Sequence, residues 1–413
     1  MTGRTLGDIQ AAIQTHRFHD FTIKLQGPNV RASERVSLQQ MRHAFLFGAN
    51  AFWLTRPQPP DVRQQHEDLF LGLFNAATLP FYWGRYEPRE GEPDEENLKR
   101  AARWCRDHGL ATKGHPLCWH TVCADWLLKY DDQTIVQKQM DRITRDVTAF
   151  RGLINTWDVI NEVVIMPVFD KYDNAVTRIA NYLGPVELTV RAFERAREAN
   201  HAATLLINDF DLSPAYEALI EKLLARDCPI DVIGLQTHQH TGVLGVDRLA
   251  DVIDRFSRFG LPLHFTETTI LSGHLVPDTI EDLNDYQVVD WPSTPEGEAR
   301  QLEQVERYYS YIYSRPEVEA IIWWDMVDGH WLNAPSGLVR DDLTPKPAYE
   351  RLRELIRGAW WFPGTEVDLP EDAALRVRAP EGDYMLTVGD KKVPVTLSKE
   401  TPVTVVGLDT VTP

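Results

Sequence analysis

Asn155-Thr156-Trp157-Asp158-Val159-Ile160-Asn161-Glu162 is the stretch whose reading decides the fold. Trp157, Val159 and Ile160 are β-favouring residues able to pack on both faces of a buried strand. Asn161 and Glu162 then arrive together, where such a strand would leave its sheet. In a parallel α/β barrel that C-terminal end is where chemistry sits. A carboxylate there, beside an amide, is a candidate proton donor. The plainer alternative is a Glu in a strand-to-loop turn, capping the next helix. A second Glu in a similar setting, Glu267, argues for the chemical reading.

Outward from this stretch the same texture repeats. Apolar strand-like runs occur at Phe45–Asn50, Phe74–Pro80, Ala111–Leu117, Thr156–Asn161, Thr204–Asn208, Val232–Gln236, Leu263–Thr266 and Ala320–Trp324. Amphipathic stretches such as Glu96–His108, Val186–Ala199, Ala215–Arg226, Val246–Phe259 and Glu298–Ser314 lie between them. Repeated βα units predict a parallel sheet, and eight predict a closed (β/α)8 TIM barrel over residues 45–362. An open doubly wound sheet is the alternative, but no glycine-rich phosphate loop follows an early strand.

The flanks read differently. Leu6, Ile9 and Ile13 stand at helical spacing, and His19–Leu25 and Val36–Gln40 alternate like strands around a turn at Gly27-Pro28-Asn29. Beyond Pro363, Ala374–Arg378, Tyr384–Val388, Val393–Leu397 and Val403–Val406 alternate again. Four short strands alone are marginal. The expectation is one small antiparallel β domain, formed by residues 363–413 and the hairpin of the N-terminal segment 1–44, beside the barrel. It serves as a brace or binds carbohydrate; no exposed aromatic platform marks the second role.

Composition bounds the function. The chain has 413 residues, of which 43% are hydrophobic, ample for one large barrel and a small domain. A net charge of −18 disfavours nucleic acid and anionic lipid surfaces. No apolar run approaches the roughly 18 residues of a membrane span. The 12 Trp suit sugar binding, because a flat apolar ring matches the C–H face of a pyranose, although Trp is also a core residue. Cys105, Cys118, Cys123 and Cys228 form neither a disulfide framework nor a CxxC zinc pair. The N-terminus carries no basic region followed by an apolar stretch. The expected location is cytoplasmic, or secreted or periplasmic if a leader has been removed. A monomer with no cofactor and no metal is expected.

Six of the eight strand ends carry polar or aromatic residues. They are Gly114-His115-Pro116-Leu117-Cys118-Trp119-His120, Asn161-Glu162, Asn208-Asp209, Gln236-Thr237-His238-Gln239-His240, Thr266-Glu267-Thr268, and Trp323-Trp324-Asp325 followed by Asp328 and Trp331. On one face of a barrel these would make a site. Two Glu residues facing each other across it suit glycoside hydrolysis: one protonates the leaving oxygen, and the other attacks the anomeric carbon or activates water. Their environments must separate their pKa values. His238 could hold one carboxylate ionised, and Asn161 could bond a sugar 2-hydroxyl. A rival reading makes His115, His120, His238 and His240 ligands of a metal-dependent hydrolase, but it leaves the Trp residues and the Asn161–Glu162 pair without a role. A third is a barrel that binds sugar without cleaving it.

Taken together these motifs resemble glycoside hydrolase family 10, the xylanase family. Gly114–His120 resembles its third-strand signature, Trp157–Glu162 its acid/base strand, and Asn208-Asp209 its fifth strand end. Gly234–His238 resembles its Gly-Leu-Gln-x-His strand, and Phe265-Thr266-Glu267 its nucleophile strand. The match runs from about Phe45 to about Ile356. The resemblance implies a retaining mechanism on β-1,4-linked xylan or a related decorated plant β-glycan, with Glu162 as acid/base and Glu267 as nucleophile. His238 and Gln236 would serve the nucleophile. Asn161, His115 and Trp119 would contact or wall the −1 sugar, and Trp324 and Trp331 would cover it.

Three departures stand out. The family's second strand ends in Glu-Asn with Lys and Trp after it, gripping the −2 sugar. Here the segment is Thr78-Leu79-Pro80-Phe81-Tyr82-Trp83, and Trp83 is the aromatic expected to touch substrate. The family's Asp two residues after the nucleophile is Thr269. The Trp324–Trp331 region is shorter than usual, so a different roof over the site is expected.

Overall fold

The computed structural model describes residues 5–408, apart from 28–29, 32, 281–285 and 287. Eight parallel strands close into a barrel: β3 (Leu46–Asn50), β4 (Ala76–Pro80), β5 (Ala111–His115), β6 (Thr156–Asn161), β7 (Thr204–Asp209), β8 (Val232–Gln239), β9 (Leu263–Ile270) and β10 (Val318–Trp323). Closure is made by β10 against β3, with Ala320 opposite Leu46 and Trp323 opposite Ala49. Buried on both faces, most of these strands carry apolar runs rather than strict alternation, with buried polar residues such as Lys113 and Asp158 among them. Helices return the chain between them. The five foreseen helices are observed within a few residues of their expected bounds, joined by Pro60–Leu73, Asp132–Ala149, Ala175–Leu183 and Pro347–Glu354. No helix among the described residues is long and apolar enough to cross a membrane.

Two glycines fix strand spacing below the site. A Cβ on Gly114 would lie 2.2 Å from the Trp157 ring, so the indole can lie against β5 only because that position is bare. A Cβ on Gly234 would lie 2.5 Å from Oδ1 of Asn208 and would displace that amide.

The flanking strands form two stacked sheets. One has the order β12 (Ala374–Pro380), β1 (Phe18–Gln26), β15 (Val403–Gly407). The other has the order β11 (Thr365–Asp368), β2 (Arg35–His43), β13 (Gly382–Val388), β14 (Lys391–Leu397). The N-terminal strands do join the C-terminal ones, but not as a hairpin. β1 pairs antiparallel to β12 and parallel to β15, whereas β2 pairs with β11 and β13. Alternation had given the faces of both strands but not their partners. Pro28 and Asn29 of the expected turn lie outside the described residues. Phe21, Ile23, Leu25, Leu38, Tyr384 and Leu386 fill the space between the sheets. Ahead of them, helix Leu6–His16 packs against Pro295–Tyr313 and puts Ile9 and Ile13 into the barrel's own core, leaving Leu6 exposed. Arg17, at its end, donates to the carbonyls of Tyr313, Arg315 and Val318, and His43 bonds the Ile356 carbonyl at 2.9 Å. These contacts tie the β domain to the outer layer of the barrel, away from its mouth.

Candidate active site

The C-terminal ends of β5 to β9 bring Glu162 and Glu267 into one buried hydrogen-bonded network. Glu162 directly follows β6 in the left-handed region, φ +59°, which costs a non-glycine residue energy and is typical of functional positions. Its backbone N–H donates to the Asn208 carbonyl on β7, at 2.8 Å, and this holds the turn. Glu267 owes its direction to an irregularity in the β8–β9 ladder. Leu235 faces Phe265 but Gln236 faces Glu267, so Thr266 is the extra residue. Such a bulge re-aims a side chain at a barrel rim.

Amides join the two carboxylates. Nδ2 of Asn208 donates to Oε1 of Glu267 at 3.0 Å and to Oδ1 of Asn161 at 2.8 Å. Nδ2 of Asn161 donates to Oε1 of Glu162 at 3.2 Å. Nε2 of Gln236 donates to Oδ1 of Asn161 at 3.0 Å and to Oε1 of Glu162 at 3.3 Å. Nε1 of Trp119 donates to the other oxygen of Glu162 at 2.7 Å. Asn161, Gln236 and Trp119 therefore all meet Glu162, and Gln236 touches it rather than Glu267.

The two carboxyls are pushed apart electrostatically. Burial, then the charge of Glu267, raise Glu162 to about 8, and the Trp119 hydrogen bond only partly opposes them. Burial also pushes Glu267 up, but the His238 hydrogen bond and the nearby His115, His238 and Lys113 outweigh it and leave Glu267 below the usual carboxylate range. Near neutral pH one is an acid and the other an anion, the division of labour that acid–base chemistry on a sugar requires. Lys113 and Asp158 carry part of this and were not foreseen. Nζ of Lys113 lies 2.7 Å from the fully buried Asp158, which in turn accepts from Nδ1 of His115 at 2.7 Å. Nε2 of His115 then lies 3.8 Å from Glu267. Asp158 sits in mid-strand and reads there as an ordinary interior position; only the barrel's closure shows which way it faces.

His238 is held by Thr269, at the position where the resemblance expected Asp. The Thr269 hydroxyl donates to the Trp324 carbonyl at 2.7 Å, so it accepts from Nδ1–H of His238, also at 2.7 Å. A hydrogen bond from Nε2 to Glu267, 3.2 Å away, therefore needs a second proton on the ring.

Aromatic rings wall the site. Trp331 lies flat on His238, centroids 4.6 Å apart, and Trp324 meets His115 edge-on at 5.1 Å. Trp83 is elsewhere. After Pro80 the chain turns into the short helix Trp83–Tyr86, which sends Trp83 into the interior. There it is 4% exposed, bonds Glu87 at 3.0 Å and packs under the Arg142 guanidinium. The ring that faces the site is its neighbour Tyr82, 5.7 Å from His115 and 5.3 Å from Trp119. Burial, then the charges of Glu267 and Glu162, hold the Tyr82 phenol protonated.

Among the described residues no group of three or more His, Cys, Asp or Glu is disposed to hold a metal. His115 and His238 are engaged with carboxylates, and His120 packs on Phe169.

The model of glycosyl hydrolase family 10 matches residues 64–355. The chain belongs to this family. The chain is similar to the endo-1,4-beta-xylanase of Geobacillus stearothermophilus, 25% identical over 342 residues that cover 76% of this chain and 98% of that one. Endo-1,4-beta-xylanase C of Paenibacillus barcinonensis is 24% identical over 75% of this chain. The chain spans about a third of the length of several such relatives, 31% of that protein and 32% of endo-1,4-beta-xylanase 2 of Arabidopsis thaliana. In fold, it is similar to the solved family 10 structure from Paenibacillus barcinonensis, with TM-score 0.63 and 23% identity over 76% of this chain and 95% of the other. The match to the family model leaves β1, β2, the first barrel strand β3 and β11–β15 outside it.

Proposed function

We propose that this family 10 chain is a retaining glycoside hydrolase that cleaves β-1,4-linked xylan or a related decorated plant β-glycan through a covalent glycosyl-enzyme. The observation that carries the reading is the pair Glu162 and Glu267, joined by amides yet held in opposite protonation states. Its relatives' names, endo-1,4-beta-xylanases, support the substrate class.

In the first step the Glu267 carboxylate attacks the anomeric carbon as the glycosidic C–O bond breaks, and the Glu162 proton passes to the departing oxygen. In the second, Glu162 takes a proton from water, whose oxygen displaces Glu267 and releases the sugar. The His238 hydrogen bond and the nearby His115, His238 and Lys113 keep the nucleophile ionised, and Asp158 holds Lys113 and His115 in position. On this reading Asn161 would bond the sugar 2-hydroxyl, and Trp119, Trp324 and Trp331 would enclose the ring.

The test is a panel of β-glycans and aryl β-glycosides, with the anomeric configuration of the first product followed by NMR. Release of the β-anomer first is expected. Initial α-anomer from a β-linked substrate overturns the retaining mechanism, and no turnover on any β-glycan overturns the activity.

A further inference from the structure

A cavity of about 120 Å³ opens beside the site, lined by Phe52, Thr55, Arg56, Pro80, Tyr82, Arg85, Tyr86, Asp94 and Leu98. Its inner wall is shared with the carboxylate pair. Tyr82 faces His115 and Trp119 on one side and meets Phe52 edge-on at 5.6 Å, and Phe52 meets Trp324 at 5.4 Å. The cavity therefore adjoins the space that a sugar between Glu162 and Glu267 would occupy.

The charge here runs against the rest of the molecule. On a chain of net charge −18, Arg56 and Arg85 both line the cavity, both are exposed, and among the described residues neither has a carboxylate within ion-pairing distance. Arg85 lies only over the Tyr82 ring, at 5.9 Å. Most other arginines of the chain do have such a partner, as Arg145 and Arg340 show. The nearby acids offset only part of this charge. Asp94, which accepts from the Asn97 amide at 2.8 Å, sets one carboxylate against the two guanidinium groups of the lining, and Asp325, within reach of the Arg56 charge, is pushed by burial towards its neutral form. Two free guanidinium groups beside an aromatic wall match a planar carboxylate, which each can grip with two parallel N–H bonds.

We infer that this cavity binds a carboxylate carried by a sugar unit adjoining the reacting one, so that the preferred substrate is an acidic, uronic-acid-bearing β-glycan. The inference rests on the glycosidase reading above and adds the class of decoration to it. It gives the unpaired arginines a ligand.

The experiment compares β-1,4-xylo-oligosaccharides carrying a uronic acid with the same compounds after reduction of the carboxyl to a primary alcohol, which keeps the shape and removes the charge. One arm has the acid as a branch and the other as the terminal unit. At low salt kcat/KM for at least one acidic form should exceed that for its reduced partner by about tenfold, the order of one charged hydrogen-bonded contact, and the ratio should fall as salt is raised. In Arg85→Gln and Arg56→Gln proteins the ratio should move towards one. Equal turnover of acidic and reduced forms by the parent in both arms overturns the inference and leaves the glycosidase reading standing. A ratio untouched by both substitutions overturns the assignment to this cavity. If no form is turned over, the glycosidase reading fails instead, and calorimetry with the same compounds decides the carboxylate site by whether the acidic one binds more tightly.

Discussion

Along β5 to β9 the polar side chains that surround the two carboxyls are held by one another: Trp119, Asn161, Asn208, Gln236, His238 and Thr269 all make hydrogen bonds inside the network. On the β3–β4 side of the same mouth Arg56 and Arg85 stand exposed with no carboxylate partner among the described residues, and aromatic rings make the wall. The first region is organised before any ligand arrives, as bond-breaking chemistry demands. The second is finished only by what binds to it. On the proposed reading, reaction and recognition are carried by adjoining walls, which can be altered separately.

That division can be broken experimentally. The largest effect belongs to Glu267→Ala, which should lower kcat by at least about 10⁴-fold on every substrate, acidic or neutral. A loss below tenfold would remove Glu267 from the nucleophile role. Next comes Glu162→Gln. Its cost should be about 10²–10⁴-fold where the leaving group needs a proton, and small for the first step with an activated aryl leaving group. The same residue sets the alkaline limb. Activity needs Glu162 protonated and Glu267 ionised, so kcat/KM rises as pH climbs through the lowered pKa of Glu267 and falls as pH passes about 8, where Glu162 loses its proton. A profile still flat at pH 9 would contradict the assignment. Thr269→Val should cost about tenfold, the order of one lost hydrogen bond, because Nδ1–H of His238 loses its acceptor and the ring its fixed orientation. Thr269→Asp should instead retain activity and broaden the profile on the alkaline side. The smallest effect is expected for Trp83→Phe: a lower unfolding midpoint from the lost bond to Glu87, with KM that of the parent. A raised KM would return Trp83 to the cleft.

The barrel was legible because most of its strands contain apolar runs and its helices keep a 3.6-residue period, two signals that need no tertiary knowledge. The strand ends were legible because Asn161-Glu162 and Thr266-Glu267 put polar groups where an apolar run stops. What escaped depended on direction and partner. Tyr82 and Trp83 are adjacent aromatics, and which one faces the site is settled by the helical turn after Pro80. Asp158 and Lys113 look like interior strand residues until β5 and β6 are side by side. The partners of β1 and β2 lie more than 300 residues away, and alternation carries no information about them.

The amide links between the carboxyls have a consequence in time. After burial, the anion on Glu267 is the largest influence that keeps Glu162 protonated. On the proposed route that anion vanishes when the sugar is attached, so the affinity of Glu162 for its proton drops just when a water molecule must be deprotonated. Release of the sugar restores the anion and rearms the donor. Each half of the cycle sets the protonation state that the other half needs, and no moving part is required to keep the two in step.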